Sequence, residues 1–300
     1  MRVPIKFPTS SAIDVSIKKI LKDYLKTEKE IDADPTSNTY GFIGNMRKPF
    51  TILTWLASKS VSAKSKNEDD STAGFVFFET RDGFNFRSVD DLVTQEPSKY
   101  EYFFTEVVKS VKQNVDFNIL QYSTDRNQDL IGKLRKGAFC SHRMFMNPLT
   151  FEYTPYDKGL FKYEDYAGKF TALGEKPKIP EELQSNPSRN ITAVLDMGTL
   201  EVGVSTAMNA DPGKVQSQTM MRYNLLTTQV ITMLVPSNTN LKAGDVIKVE
   251  VPRIDREKRS DVDQQQSGLY MIKALCHHFD TKNSYTSLEL IRDTFGPQEK

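Results

Sequence analysis

Two cysteines and three histidines in 300 residues leave little material for metal or thiol chemistry. Cys140 and Cys276 cannot build a disulfide framework, and so low a count fits folding in a reducing cytosol. No apolar run approaches the roughly 20 residues of a membrane-spanning helix, so no membrane insertion is expected. The amino terminus, MRVPIKFP, has Pro4, Lys6 and Pro8 where a secretory signal needs an unbroken apolar core, and no signal peptide is read there. Charge of one sign is lacking too. With 40 basic and 39 acidic residues the net charge is +1, so no overall field attracts nucleic acid or anionic lipid.

Catalytic signatures are equally scarce. There is no G-x-S-x-G, no H-E-x-x-H and no phosphate-cradling G-x-x-x-x-G-K-[ST], and no serine, cysteine or threonine sits in a recognisable nucleophile motif. Asp90-Asp91 and Glu181-Glu182 are adjacent acids. They read as solvated or helix-starting carboxylates, because the geometry of a glycosidase pair is set in space and not by sequence spacing. The basic run Lys133, Arg135, Lys136 and the mixed run from Arg253 to Arg259 are not interleaved with aromatics as in a single-strand-binding groove. The second run, with acids inside it, reads as a solvated hairpin loop. Trp55 and Phe75, Phe77, Phe78, Phe84 and Phe86 read as core.

What chemistry there is concentrates in two short stretches. In ALCHHF, on a strand, Cys276 and His278 share one face while His277 lies on the other with Leu275 and Phe279, so the adjacent histidines cannot act together. AFCSHRM repeats the C-x-H spacing with Cys140 and His142. Were the two strands neighbours, two sulfurs and two nitrogens could hold one zinc ion. The ordinary alternative is a thiol and an imidazole on each of two separate strands. That alternative is preferred, since structural zinc sites more often use turns with C-x₂₋₄-C spacing. No catalytic, cofactor-binding or metal residue is therefore assigned.

Residues 10–31, SSAIDVSIKKILKDYLKTEKEI, place Ile13, Ile17, Ile20, Leu21, Tyr24 and Leu25 at three- and four-residue intervals after capping serines, which predicts an amphipathic helix. KPFTILTWLASKSV predicts a second helix starting near Pro49. GFVFFETRDGFNFRSV predicts a hairpin turning at Asp82-Gly83 with positive φ angles. Together these make a compact unit over about residues 9–93. From Asn114 onward strands are expected at VDFNILQYS, LIGKLRKGAFCSHRMFM and LTFEYTPY, then an irregular insertion over 157–212 and a helix around 213–225. The last block is the most regular. TTQVITMLVP, DVIKVEVP, GLYMIKALCHHF and SYTSLELIRD are four strand-length segments suited to a sequential antiparallel barrel or sandwich.

This order of elements carries a resemblance. PFTILTWLASKSV followed by AGFVFFETRDGFNFRSVDDL resembles the helix-then-hairpin segment of the phage baseplate hub family and of the related base of type VI secretion spikes. NLKAGDVIKVEVP and SGLYMIKALCHHFDTKNSYTSLELIRDTFG are similar to the closing strands of those hubs: a turn of the AGD type, a strand beginning GLY, a histidine before a hairpin and a strand ending in LIRD.

The resemblance implies an α+β, mostly β fold: a small helical and hairpin domain over 1–113 and an antiparallel β-barrel of the tail-hub type over 114–300. It implies a non-enzymatic, cofactor-free subunit of the virion tail baseplate. That subunit is a homotrimer joining the tail tube to the central spike, in contact with baseplate wedge proteins and enclosing a channel for DNA in transit. Hubs usually begin with a further barrel, for which the helical unit near Met1 leaves no room. A zinc-dependent or glycan-cleaving tail enzyme is the alternative, and a type VI spike base, whose fused spike is not found after Phe295, is a third.

Overall fold

The computed structural model describes residues 2–7, 11–64, 72–104, 115–127, 129–148, 150–196, 214–253 and 262–295. In chain order its elements are β1 (Lys6–Phe7), α1 (Ile13–Lys19) running into a π turn (Ile20–Tyr24), β2 (Glu30–Ala33), β3 (Phe42–Ile43), α2 (Pro49–Ala57), β4 (Phe75–Glu79), β5 (Gly83–Ser88) and α3 (Val89–Thr94). There follow β6 (Glu101–Phe103), a 3₁₀ turn (Val115–Phe117), β7 (Gln121–Asn127), α4 (Leu130–Arg135), β8 (Cys140–Met146), α5 (Tyr156–Gly159), β9 (Leu160–Lys162), α6 (Glu164–Ala167), α7 (Glu182–Ser185) and β10 (Arg189–Val194). The chain closes with α8 (Lys214–Leu226), β11 (Gln229–Pro236), β12 (Val246–Glu250), β13 (Gly268–Phe279) and β14 (Ser284–Arg292). The class is α+β with strand prevailing, 37% against 24% helix, as expected.

Compactness groups the chain into two interleaved units. One comprises 1–90, 131–170 and 179–224, the other 91–130, 171–178 and 225–300. They do not follow the expected division between residues 113 and 114. The reason is pairing over long distances in sequence: β6 lies parallel to β12, and β8 lies between β9 and β10 in a sheet of its own.

In the first unit the helix expected over 10–31 is cut short. Ile13, Ile17, Ile20 and Leu21 form its buried stripe, and a π turn with Leu25 N donating to Ile20 O at 3.2 Å ends it. The following EIDA alternates polar and apolar residues and becomes β2, parallel to β5 and not the tail of a helix. β4 and β5 form the expected hairpin over Thr80–Asp82, but Gly83 is not at positive φ. Its role is close approach: a Cβ there would lie 2.2 Å from the Glu30 carbonyl oxygen of β2. α2 starts at Pro49 as expected and adds Ile52, Leu53 and Leu56 to the core. Of the aromatics read as core, Phe75, Phe84 and Phe86 are buried in it and Trp55 and Phe77 pack against it, while Phe78, on the other face of β4, is half-buried outside it; Phe75 stacks on Phe86 at 4.8 Å between centroids, and Trp55 meets Tyr40 edge-on at 5.3 Å.

LIGKLRKGAFCSHRMFM, expected as one strand, is α4 followed by β8. Among its described residues, LTFEYTPY makes one bridge, Tyr153 to Met146. Within the expected irregular insertion, β9 and β10 are strands that flank β8, while 197–212 falls outside the described residues.

The second unit is a six-stranded sheet of order β6-β12-β13-β14-β11-β7, curled into a half-barrel. The four closing strands form where expected. β12, β13 and β14 are a sequential antiparallel meander, but β11 lies on the far side of β14 and β6 joins in parallel. β11 buries Gln229, Ile231, Met233 and Val235 in strict alternation, and β14 answers with Thr286, Leu288, Leu290 and Arg292. Register shifts between Ile272 and Ala274 and between Val230 and Ile231 bend the sheet, the second where Asp125 of β7 is passed over. The turn before β12 owes its shape to Gly244 at φ +92°, with Lys242 N donating to Asp245 Oδ2 at 3.0 Å.

Burial pushes the phenols of Tyr102, Tyr223 and Tyr270 above their ordinary range, since each is neutral in a dry environment. Their contribution is complete below about pH 10, the unfolded phenol value, and is lost as pH rises through the folded values. Stability is therefore expected to fall in urea titrations between about pH 10 and 11.5. Tyr270→Phe should flatten that slope by up to about 1.4 kcal/mol per pH unit; an unchanged slope would refute the assignment.

Candidate functional site

The two C-x-H segments are strands, as read, and lie in different sheets. β8, with Cys140 and His142, pairs with β9 and β10; β13, with Cys276 and His278, pairs with β12 and β14. The neighbouring strands that a shared zinc would need are thus not formed. Among the described residues no group of three or more histidine, cysteine or carboxylate side chains is arranged to hold a metal.

Each pair has its own surroundings. Cys140 is buried, and desolvation pushes its thiol up despite Lys162 nearby, which keeps it protonated and a poor nucleophile. His142 is 8% exposed and packs against Tyr156 with centroids 4.4 Å apart. On β13 the faces alternate as expected. Cys276 and His278 are exposed, His278 stacking on Tyr285 at 4.6 Å, while Nδ1 of His277 lies 2.9 Å from Thr286 Oγ1 on the neighbouring strand. The histidines are therefore hairpin residues with cross-strand partners.

The remaining charged motifs are structural as well. Asp90 and Asp91 start α3, and Asp90 Oδ1 accepts from Arg222 Nη2 at 3.2 Å. Glu181 and Glu182 start α7, exposed. In the basic run Lys133 is buried while Arg135 and Lys136 are exposed. Most of the 253–259 run falls outside the described residues.

Three buried arginines were missed by reading the sequence alone; the first, Arg143 on β8, donates from Nε to Ser217 Oγ at 2.7 Å. Arg292, the arginine of LIRD, has no exposed surface. Its guanidinium donates to Gln265 O at 2.6 Å, Ser267 O at 2.9 Å, Thr294 O at 3.2 Å and Gln229 Oε1, and lies 4.8 Å from the Tyr270 ring centroid. The adjacent Asp293 accepts from Leu173 N at 3.0 Å. A signal was present: period two puts Arg292 in line with Leu288 and Leu290, and its cross-strand partner is Gln229. Arg222 is buried on α8 and lies over the Phe170 ring at 4.5 Å. On the same helix Gln218 accepts from Ala73 N at 3.1 Å, and the Tyr223 hydroxyl donates to Phe75 O, so α8 is tied to the start of the β4 strand by polar contacts.

Among the described residues, the cysteines and histidines singled out in the sequence are not joined to one another as a nucleophile and a base. What the described residues show instead is a curled six-stranded sheet and a small three-stranded sheet with exposed apolar residues beside it.

Comparison with known proteins agrees with the class. No protein-family model matches the chain. The crystal structure of a tail protein from Neisseria meningitidis MC58 shares the fold, with a TM-score of 0.54 at 11% identity, covering 97% of this chain and 70% of that one. The 43 kDa tail protein of prophage MuSo2 from Shewanella oneidensis aligns over the same shares, with a TM-score of 0.47 and 9% identity.

In sequence, the chain is similar to a probable baseplate hub protein, gp334, of Vibrio phage KVP40. It is 22% identical over 308 aligned positions, covering 97% of this chain and 68% of that protein. The resemblance to baseplate hub proteins read from the two ends of the sequence thus extends along nearly the whole chain.

Proposed function

We propose that this protein is a structural subunit of the central hub in the baseplate of a contractile-tailed phage, located in the virion tail. In this reading three copies surround the tail axis, join the tail tube to the central spike, contact baseplate wedge proteins and enclose the channel that DNA crosses on ejection. The observation that carries it is the end-to-end likeness to a probable baseplate hub protein, supported by the shared fold of a tail protein.

Physical features support the same reading. A near-neutral net charge puts no large repulsion between copies. The role is read as structural and not catalytic, because the cysteines and histidines that motivated an enzyme are separate strand residues.

Light scattering on the purified native chain over a range of concentrations, with zinc assayed on the same sample, tests this. A trimer with metal content equal to that of the buffer is expected. A strictly monomeric chain that binds no tail component would overturn the hub, and one zinc per chain would restore the metal alternative.

A further inference from the structure

Arg143 and Arg292 differ in how their buried charge is met. Arg143 is 5% exposed, and its Nε donates to Ser217 Oγ of α8 at 2.7 Å. The four N–H groups on its two Nη atoms meet no acceptor among the described residues. In Arg292, by contrast, all three nitrogens donate, to three backbone carbonyls and the Gln229 side chain. A buried guanidinium held by one bond of its fork is costly, and the cost is relieved by a further acceptor.

The neighbours of Arg143 increase that demand. In the parallel register of β8 and β10, Arg189 stands opposite Ser141, so Ser141, Arg143 and Arg189 share one face of the sheet. A Cβ on Gly137 would lie 2.9 Å from Ser141 Cβ and 3.0 Å from Arg189 Cβ, which shows how closely these side chains start. Burial pushes the Arg143 guanidinium below its ordinary range, and repulsion from Arg189 adds to the shift. Lys59, half-buried just after α2, faces the same cluster: burial lowers its ammonium, Asp196 opposes that shift and Arg143 adds to it.

Asp196 also accepts from the Tyr40 hydroxyl, and no described acid forms an ion pair with Arg143. Three cations against one carboxylate leave two positive charges in the cluster. Hydroxyl groups complete it. Ser141, 1% exposed, has an Oγ without a partner among the described residues, and Ser217 keeps its own proton to donate while it accepts from Arg143.

We propose that Arg143, with Lys59, Arg189 and the hydroxyls of Ser141 and Ser217, binds a small, doubly charged oxyanion of the phosphate class. The guanidinium fork presents its Nη donors to two oxygens of the ion, and the charge of the ion equals the excess of the cluster. So enclosed an arginine admits a small ion and not the backbone of a nucleic acid. The bound ion ties α2, β8, β10 and α8 together, and its binding is independent of the hub role proposed above.

Titration calorimetry of the full chain with inorganic phosphate at constant ionic strength, with acetate as the singly charged comparison, tests this. One saturable site per chain is expected, with acetate weaker by about tenfold or more. Arg143→Gln should weaken phosphate binding by about tenfold or more, and Arg189→Gln, at an exposed position that the fold does not need, by about threefold or more. Lys178→Gln removes the same charge from a side chain 91% exposed and should leave binding unchanged. Phosphate should also raise the Tm of the unmodified chain more than that of Arg143→Gln. An unmodified chain that takes up no phosphate would overturn the proposal, since the acceptor for Arg143 would then be the chain itself or water. Equal weakening by Lys178→Gln would overturn it as well, because the effect would be one of overall charge.

Discussion

Arg292→Ala is expected to lower the unfolding free energy by about 3–5 kcal/mol, the range for removing one member of a buried, hydrogen-bonded charged cluster. Arg292 is wholly buried at the end of β14, and its guanidinium joins three backbone carbonyls to the Gln229 side chain of β11. Without it, Gln265 O, Ser267 O and Thr294 O lose a charged donor in a place closed to water, and the space it filled becomes a cavity beside Tyr270. Burial pushes the guanidinium below its ordinary value, and the nearby Asp293 and Asp263 oppose that shift. Arg292→Lys should recover part of the loss, since an ammonium cannot reach the same set of acceptors with one planar fork. Urea unfolding of the full chain measures both. A loss below about 1 kcal/mol for the alanine variant would mean that the cluster is no more than a surface-type interaction.

Gly83→Ala should cost about 3 kcal/mol, at the upper end for overpacking, although it adds only one methyl group. The added Cβ would fall 2.2 Å from the Glu30 carbonyl oxygen, and no side-chain rotation can relieve a clash with backbone. Relief requires β2 to move away from β5, which opens the parallel pairs from Glu30–Gly83 to Ala33–Phe86. Loss of this ladder also disturbs Asp34, which follows β2 and accepts from Ser88 N and from Arg87 Nε, each at 2.9 Å. Hydrogen exchange should show faster exchange at β2 with the amides of β11 to β14 unchanged. An alanine variant as stable as the original chain would show that the strands separate without cost.

The distinction between the two residues is informative about reading. Arg292 was legible in part, because its place in the alternation of β14 is a local property. Gly83 was expected to serve a turn, and its actual constraint comes from a strand about fifty residues earlier in the chain, which no local pattern encodes.

The same contrast runs through the fold and the candidate site. Local periodicity located α2, the β4–β5 hairpin and all four closing strands, and it assigned Cys276 and His278 to one face and His277 to the other. It failed where a segment is compatible with two periods. KTEKEIDA continues a helical pattern, yet its last four residues pair with β5; LIGKLRKG has strand-like isoleucine and leucine, yet it makes a helical turn before β8. Nor could β10 be seen, because RNITAV lies in a stretch rich in prolines, glycines and charges and, among the described residues, gains its strand from β8.

What the sequence determined by itself is therefore what the chain lacks and what its local alternation specifies: no catalytic motif, no apolar span of membrane length, and a regular antiparallel block with a hub-like ending. The tertiary structure alone decided the parallel pairings of β2 with β5, β6 with β12 and β8 with β10, the burial of Arg222, and the separation of the two C-x-H strands into different sheets. The physical reason is range. Side-chain alternation is fixed by the bond geometry of one residue and its neighbours, whereas a parallel partner or a buried charge is selected by residues far along the chain, through hydrogen bonds and close contacts that exist only once both segments have met.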